Sequence, residues 1–206
     1  MALMSRLSGR RIRMLRNLMF DLRSGGLRRG NVATRHADTD AVDVINSDVT
    51  ALERIFEGRI GPSDVLVDVG CGKGRVIAWW LRAGATGRIV GLELDEQVAE
   101  QTRERLRDHP NVSIVAGDAV ENVPPDGSLF YVHNPFGERT LRAFAERVKR
   151  LHGSDGSSVR ILYYNPVHAG VFESDPAWRV ERVAIGGDGF HPLCVIERLS
   201  RSAASS

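Results

Sequence analysis

The segment that most constrains this fold is an apolar strand that runs straight into a glycine-rich loop, Val65-Leu-Val-Asp-Val-Gly-Cys-Gly-Lys-Gly-Arg75. Glycine recurs at Gly70, Gly72 and Gly74, where a side chain would collide with a ligand lying close to the backbone. An amphipathic run follows directly, so the pattern predicts a strand, a ligand-binding turn and a helix. The spacing is G-x-G-x-G, and Arg75 stands where the dinucleotide-binding pattern G-x-G-x-x-G has its third glycine.

Length and composition are those of one globular domain. The 206 residues are enough for a full core, and 42% are hydrophobic and 26% charged. Two cysteines, Cys71 and Cys194, provide neither a disulfide framework nor a metal-ligand cluster. No apolar run approaches the ~20 residues of a membrane span, and the N-terminus lacks a secretory signal pattern. We therefore expect a cytoplasmic protein without an integral membrane segment.

Strands and helices alternate through the middle of the chain. Strands are predicted at 65–69, 88–93, 112–115, 128–133 and 159–163, and helices at 75–83, 96–108 and 138–150. Two further strands, Trp178–Ile185 and Phe190–Leu199, flank a Gly-Gly-Asp-Gly link at 186–189 that is typical of an antiparallel hairpin. The predicted fold class is α/β: a single-domain Rossmann-like, mostly parallel seven-stranded sheet with a C-terminal antiparallel hairpin, plus N-terminal helices.

The N-terminal region is rich in arginine. Residues 1–29 carry eight arginines against one acid, Asp21. A helix is predicted over 3–22, with one apolar face formed by Leu3, Leu7, Met14, Leu15, Leu18 and Leu22. This helix either packs on the domain, contacts an anionic lipid or nucleic-acid surface, or forms an untethered tail.

Three segments are predicted along the chain. Residues 1–60 hold the basic amphipathic helix and a second helix at 41–57, with the breaking glycines Gly25, Gly26 and Gly30 between them. Residues 61–199 form the main domain, and the Ser/Ala-rich residues 200–206 are expected to be disordered.

Three short motifs carry a resemblance to a known family. Asp-Val-Gly-Cys-Gly-Lys-Gly-Arg at 68–75, Gly-Leu-Glu at 91–93 and Asn-Pro-Phe at 134–136 resemble the class I (seven-strand) S-adenosyl-L-methionine (SAM)-dependent methyltransferases. The likeness is nearest to small bacterial members with a DxGxGKGR motif and an NPF motif. It covers roughly residues 60–199 and implies SAM as cofactor and a methyl acceptor that the sequence does not identify: a protein, a small molecule or a nucleic acid.

The resemblance implies roles for the first two strand ends. Ligands of open parallel sheets lie at the carboxyl ends of the strands, where the strand order reverses. Asp68 would accept a hydrogen bond from the ammonium of the methionine moiety. The loop of Gly70, Cys71, Gly72 and Gly74 would lie beneath the methionine and ribose, and Glu93 would bind both ribose hydroxyls. The alternative for Glu93 is a solvated acid at a strand end.

Further residues are assigned to the adenine by the same resemblance. Leu94 would pack on the adenine face, the Asp118 carboxylate would accept from the exocyclic amine, and the Ala119 backbone would donate to a ring nitrogen. The alternative for Asp118 is a helix N-cap. Asn134, at the fourth strand end, completes the predicted cofactor-binding set.

The same Asn134 also carries the prediction for the methyl acceptor. Tyr131-Val-His-Asn-Pro-Phe-Gly137 partly resembles the [Asn/Asp]-Pro-Pro-[Tyr/Phe] motif of amino-methyltransferases, with Phe136 in place of the second proline. Asn134 would orient a nitrogen nucleophile, and Phe136 would stack on a flat or cationic substrate. A nitrogen or protein acceptor is therefore slightly favoured. The alternative is that Asn134-Pro135 simply turns the chain after a strand.

Histidines near the last strand ends are candidate proton acceptors. Asn-Pro recurs in Tyr163-Tyr-Asn-Pro-Val-His168, and Phe190 precedes His191 in the hairpin. His133, His168 and His191 have the side chain whose pKa suits a general base, and His133 and His191 join Asn134 in the predicted catalytic set. No residue pair has metal-ligand spacing, so no metal is predicted. Two alternatives to the enzyme remain: a non-catalytic SAM-binding regulator or partner subunit, and a dinucleotide-dependent oxidoreductase.

Overall fold

A computed structural model describes residues 9–24, 47–152, 158–186 and 189–199. In these ranges the strands are β1 Leu66–Val69, β2 Ile89–Glu93, β3 Val112–Ala116, β4 Leu129–Val132, β5 Arg160–Tyr164, β6 Trp178–Val183 and β7 Leu193–Arg198. The helices are α1 Gly9–Arg23, α2 Val49–Phe56, α3 Arg75–Arg82, α4 Glu96–Arg105, α5 Glu138–Leu151 and α6 Gly170–Glu173. Across these ranges, no helix combines the length and the apolar character that spanning a membrane requires.

The strands form one seven-stranded sheet in the order β3-β2-β1-β4-β5-β7-β6. Strands β1 to β5 pair in parallel, and β1 lies between β2 and β4. Strand β7 runs antiparallel to both β5 and β6, which closes the sheet with the hairpin that the sequence predicts. The predicted fold class is confirmed.

Helices cover both faces of this sheet and bury an apolar cluster on each. On one face α5 and α6 contribute the fully buried rings of Phe144 and Phe172. On the other face α2, α3 and α4 contribute Leu52, Ile77 and Ala99. Every residue of β1, β2 and β4 is buried, as expected for central parallel strands covered on both sides.

The predicted elements are found, with ends that differ by a few residues. Helix α4, predicted to run to 108, ends at Arg105, and the N–H of Leu106 is shared between the carbonyls of Thr102 and Arg103. Helix α2 begins at Val49 because the Asp48 carboxylate caps its first N–H groups. The four-residue helix α6 is too short to give a periodic signal in the sequence. Predictions for residues 3–8, Gly25, Gly26, Gly30, 41–46, 187–188 and 200–206 lie outside the described residues.

Helix α1 is attached to the domain through an ion pair that is buried. Asp21 is fully buried and accepts from Arg75 through Nε–Oδ1 at 3.0 Å and Nη2–Oδ2 at 2.6 Å. Arg75 is the first residue of α3, directly after the glycine loop, and its Nη1 also donates to the carbonyl of Ser47 at 3.2 Å. The pair therefore joins α1 to the helix that follows the loop.

Further polar contacts join α1 to α2. The Asn17 amide donates to Asp48 Oδ2 at 3.0 Å and accepts from the Val49 N–H at 2.8 Å. Arg16 donates to Glu53 Oε1 at 2.7 Å, and this second ion pair is exposed. The helix thus packs on the domain through its polar residues.

The two ion pairs of α1 are expected to differ greatly in their contribution to its attachment. Asp21→Asn leaves the buried Arg75 guanidinium without a counter-charge, a loss of about 3 to 5 kcal/mol. We expect the amide hydrogens of α1 to exchange more than about 100-fold faster in this variant, measured by hydrogen–deuterium exchange and mass spectrometry. Glu53→Gln is the matched control, since breaking an exposed pair changes exchange by about fivefold or less. Equal exchange in both variants would show that the buried pair does not hold the helix.

Candidate active site

The topology places one crevice at the carboxyl ends of β1, β2 and β4. Strand β1 has β2 on one side and β4 on the other, so the chain changes direction across the sheet at this point. A crevice opens at such a switch point because the connections leave β1 and β4 towards opposite sides. The glycine loop follows β1, Glu93 is the last residue of β2, and Asn134 lies two residues after β4.

Asp68 is the unusual group of this crevice. Its side chain is buried in the central strand, and Oδ2 has no hydrogen-bond partner among the described residues. Burial, with a smaller contribution from the nearby Glu93, raises the pKa of Asp68 to about 8. A buried carboxyl with an oxygen unpaired needs a donor or a cation, and a ligand ammonium is one that fits.

The glycine loop is held by the protein on both sides. The N–H groups of Gly70 and Cys71 both donate to the Leu92 carbonyl at 2.9 Å. The Gly72 carbonyl accepts from the Thr102 hydroxyl at 2.8 Å, so α4 fixes the middle of the loop. All three predicted glycines have a positive φ, which only glycine adopts at little energetic expense.

The space at two of these glycines is filled by the protein itself. A Cβ at Gly70 would lie 2.9 Å from Cβ of Pro135, and a Cβ at Gly74 would lie 2.9 Å from Cγ2 of Thr102. The sequence-based explanation, a collision with the ligand, is therefore corrected at Gly70 and Gly74. There the close approach is that of the Asn-Pro turn and of α4.

Glu93 lies at the end of β2 and faces the loop. Its Oε2 accepts from the Gly72 N–H at 2.8 Å, and its Oε1 accepts from the Asp95 N–H at 3.0 Å. The side chain is buried, and burial raises its pKa despite these backbone hydrogen bonds. The alternative of a solvated strand-end acid is wrong. Each carboxylate oxygen has a second lone pair for a ligand hydroxyl.

The predicted adenine residues lie at the ends of β2 and β3. Leu94 and Ala119 are half-buried, and Asp118 is exposed. Asp118 Oδ1 accepts from the Val120 N–H at 2.7 Å, so this residue caps the turn after β3. Asp118 thus caps a turn and not a helix, because residues 119–122 form no helix, and the adenine contact stays a prediction.

Asn134 is held in a backbone conformation that explains its identity. Its φ is 48°, and Asn165 of the second Asn-Pro pair has a φ of 53°. Asparagine tolerates this left-handed region better than other non-glycine residues. The Asn134 Oδ1 accepts from the Tyr163 hydroxyl at 2.9 Å, and that hydroxyl accepts from the His168 N–H at 3.3 Å. The carboxamide oxygen predicted to orient a nucleophile is thus already bonded to the protein.

The prediction that Phe136 stacks on the substrate is wrong. Phe136 is buried in the core, and its ring centroid lies 5.9 Å from that of Phe144 on α5. The turn at Asn134-Pro135 directs the next side chain inwards, where an aromatic ring is stabilised by burial.

Two of the three candidate histidines lie on either side of one tyrosine. The Tyr164 ring is 4.8 Å from the His133 ring and 5.6 Å from the His191 ring. The Tyr164 hydroxyl also accepts from the His191 N–H at 3.1 Å. The backbone N–H of His168 donates to the Tyr163 hydroxyl instead. His133 and His191 thus share a contact with Tyr164, and the catalytic role of the three histidines stays a prediction.

His133 is poorly suited to accept a proton. Burial, with a smaller effect of His191, lowers the pKa of His133 to about 4. Its Nδ1 lies 3.0 Å from the Ser47 hydroxyl, which is also 2.9 Å from the Tyr131 hydroxyl. The ring is neutral at pH 7 and serves as a hydrogen-bonding partner.

Sequence reasoning missed this hydroxyl cluster. Ser47 belongs to no motif and reaches His133 only because α2 packs on this side of the sheet. Tyr131 and Tyr164 precede the two Asn-Pro pairs, and the alternation of side chains along β4 and β5 puts both on the same sheet face as Asp68.

Metal chemistry has no candidate in the described part of the chain. No group of three or more His, Cys, Asp or Glu side chains there is arranged to hold a metal ion. Cys71 and Cys194 are both buried free thiols, and burial raises the pKa of each.

Comparison with known protein families gives a match over part of the chain. Residues 66–156 match the family described as "Methyltransferase domain". A demethylmenaquinone methyltransferase of Staphylococcus aureus strain MRSA252 is 33% identical over 87 residues, which is 42% of this chain and 36% of the relative. The match thus spans little more than a third of that curated relative.

Solved structures are similar over more of the chain. A methyltransferase from Pyrococcus furiosus superposes with a TM-score of 0.60 at 15% identity, covering 94% of this chain and 100% of the other. An O-methyltransferase from Bacillus cereus in complex with SAH superposes with a TM-score of 0.57 at 13% identity, covering 75% of this chain and 83% of the other. Residues 66–156 are therefore similar to a methyltransferase domain, and the chain has the fold of the solved methyltransferases named here.

Proposed function

We propose that this protein is an enzyme that binds SAM at the carboxyl ends of β1 and β2 and transfers its methyl group to an acceptor held beside β4 and β5. The observation that carries the proposal is the buried Oδ2 of Asp68 at the switch point of the sheet, which has no hydrogen-bond partner in the described part of the chain. A ligand with a positively charged amine supplies what this carboxyl lacks, and the amino-acid part of SAM has such an amine.

Each part of the crevice has a proposed role in holding the cofactor. Asp68 accepts from the ammonium, the loop at 70–74 supports the methionine and ribose, and Glu93 accepts from the ribose hydroxyls. Leu94, Asp118 and Ala119 border the adenine. SAM, when bound, supplies a methyl group on a sulfonium, which is transferred to a lone pair in line with the departing sulfur. The protein contributes by holding the two reactants in that alignment.

Arg75 supports this proposal over a dinucleotide-dependent oxidoreductase. The third glycine of the dinucleotide pattern allows close packing of helix against strand. Here that position holds a large side chain, which is buried in the ion pair with Asp21. The acid at Glu93 does not discriminate between the two classes, since dinucleotide folds place an acid similarly.

The acceptor is not identified by these contacts. The preference for a nitrogen or protein acceptor depended on Asn134, whose oxygen is engaged by Tyr163. The nitrogen or protein acceptor stays a prediction. The names of the similar proteins, a demethylmenaquinone methyltransferase and an O-methyltransferase, do not support it. Of the proposed bases, the exposed His191 is better placed than His133 to take up a proton, because burial lowers the pKa of His133 to about 4.

Removing either acid is expected to weaken cofactor binding. Asp68→Asn loses the charge that faces the ammonium, and Glu93→Gln presents an amide where a carboxylate would accept from the ribose. We expect SAM to bind about 10- to 100-fold more weakly in each, by isothermal titration calorimetry. Asp126→Asn is the control, since this exposed acid precedes β4 and so lies at the amino ends of the strands, away from the crevice. Unchanged affinity in both acid variants would overturn the proposal.

The raised pKa of Asp68 predicts that SAM binding releases a proton. The carboxyl is largely protonated below its pKa of about 8 in the cofactor-free protein and must ionise to pair with an ammonium. The affinity should therefore rise from pH 6 to pH 7.5. Titrations in buffers with different ionisation enthalpies measure the proton directly. The release should be absent in Asp68→Asn, and an equal release in that variant would assign it to another group.

Methyl transfer itself is tested with tritiated SAM. We expect the protein to label a component of an extract of its source organism, and chemical analysis of that product identifies the methylated atom. Asn134→Ala is expected to keep cofactor affinity within about threefold and to slow labelling by about tenfold or more. SAM binding without any labelling would favour the non-catalytic regulator, and stabilisation by a nicotinamide cofactor alone would favour the oxidoreductase.

A further inference from the structure

Helix α1 has its polar and apolar faces reversed relative to an ordinary surface helix. The residues that contact the domain are polar or aromatic and recur at helical spacing: Arg13, Arg16, Asn17, Phe20 and Asp21. The opposite face carries large apolar side chains with much of their surface exposed: Met14 58%, Leu15 42%, Met19 41% and Leu22 56%. Ordinary surface helices turn such a stripe towards the core.

The inward face is fixed by specific contacts, so the orientation is not interchangeable. Asp21 is buried against Arg75, and Asn17 is bonded to Asp48 and Val49. Rotating the helix to bury Leu22 would expose Asp21 and leave the buried Arg75 guanidinium without its counter-charge. The structure therefore commits the apolar stripe to the outside.

Cations border this stripe. Arg10 and Arg11 are exposed one turn before Met14, and Arg23 is exposed at the end of the helix. The single acid of the helix, Asp21, is fully buried and already paired. The outward face is thus apolar along its centre and positive at both ends.

We propose that the outward face of α1 docks on an anionic lipid bilayer. Its methionine and leucine side chains enter the boundary between headgroups and acyl chains, and its arginines pair with lipid phosphates. Apolar area and positive charge on one helix face add together at such a surface. The proposal goes beyond methyl transfer and does not depend on it, because the docking face lies opposite the residues that contact the domain.

Other partners match this face less well. A nucleic acid would engage the arginines and leave the four apolar side chains in water. A second copy of the same face would bring Arg10, Arg11 and Arg23 against identical charges. A bilayer with anionic headgroups satisfies both the charge and the apolar area.

Vesicle flotation tests the proposal on the full chain. Vesicles of phosphatidylcholine and phosphatidylglycerol at a 3:1 ratio are compared with vesicles of phosphatidylcholine alone. We expect the protein to bind the anionic vesicles about tenfold or more tightly than the neutral ones. The double variant Met14→Gln/Leu22→Gln and the double variant Arg10→Gln/Arg11→Gln should each bind the anionic vesicles about tenfold more weakly.

A matched pair of single variants tests whether the position of an exposed leucine matters, or only its removal from the surface. Leu15 is 42% exposed on α1, and Leu199 is 41% exposed after the last strand. Leu15→Gln should weaken binding to anionic vesicles, and Leu199→Gln should not. SAM titration of the Met14→Gln/Leu22→Gln variant should give unchanged affinity, which separates a docking defect from a defect in the proposed function.

Three results would overturn the proposal. One is a protein that does not float with anionic vesicles. Another is vesicle binding that survives Met14→Gln/Leu22→Gln while Arg10→Gln/Arg11→Gln abolishes it, since the contact is then electrostatic only. The third is competition by an oligonucleotide at lower concentration than by anionic vesicles, which would assign the face to nucleic acid.

Discussion

The carboxyl of Asp68 is the constraint around which the site is arranged. It lies in the central strand of a sheet covered on both faces, where an isolated carboxylate is strongly disfavoured. Among the described residues one of its oxygens has no hydrogen-bond partner, whereas the neighbouring Glu93 accepts from two backbone N–H groups. The glycine loop is thus fixed by hydrogen bonds to the protein, and the Asp68 carboxyl beside it is not. The proposed function depends on that asymmetry, because a ligand with a positively charged amine would pair with the carboxyl.

The N-terminal helix and the crevice at the carboxyl ends of β1, β2 and β4 are linked through one side chain. Arg75 begins the helix after the glycine loop and ends in a buried pair with Asp21 of α1. The same guanidinium donates to the Ser47 carbonyl, and the Ser47 hydroxyl contacts Tyr131 and His133. Attachment of α1, the start of α3 and the hydroxyl cluster beside β4 are thus parts of one network of polar contacts.

The sequence predicted the sheet because continuous apolar runs indicate strands that are buried on both faces. The Gly-Gly-Asp-Gly link at 186–189 indicates a hairpin. The sequence also singled out two acids that the structure shows to be buried: Asp68, which interrupts an apolar strand, and Glu93, which ends the next one. It did not predict the inward position of Phe136, because a turn at Asn134-Pro135 can send the next side chain either way. Nor did it reveal that α1 packs by polar residues, since a helical periodicity shows that two faces differ and not which one is covered.

The hydroxyl of Tyr163 acts as a spacer between two turns. It donates to Asn134 after β4 and accepts from the His168 N–H after β5. Because both turns bond to this one hydroxyl, their separation is tied to the position of a fully buried ring. The gap between these two strand ends is therefore set by the length of one phenol ring rooted in the core.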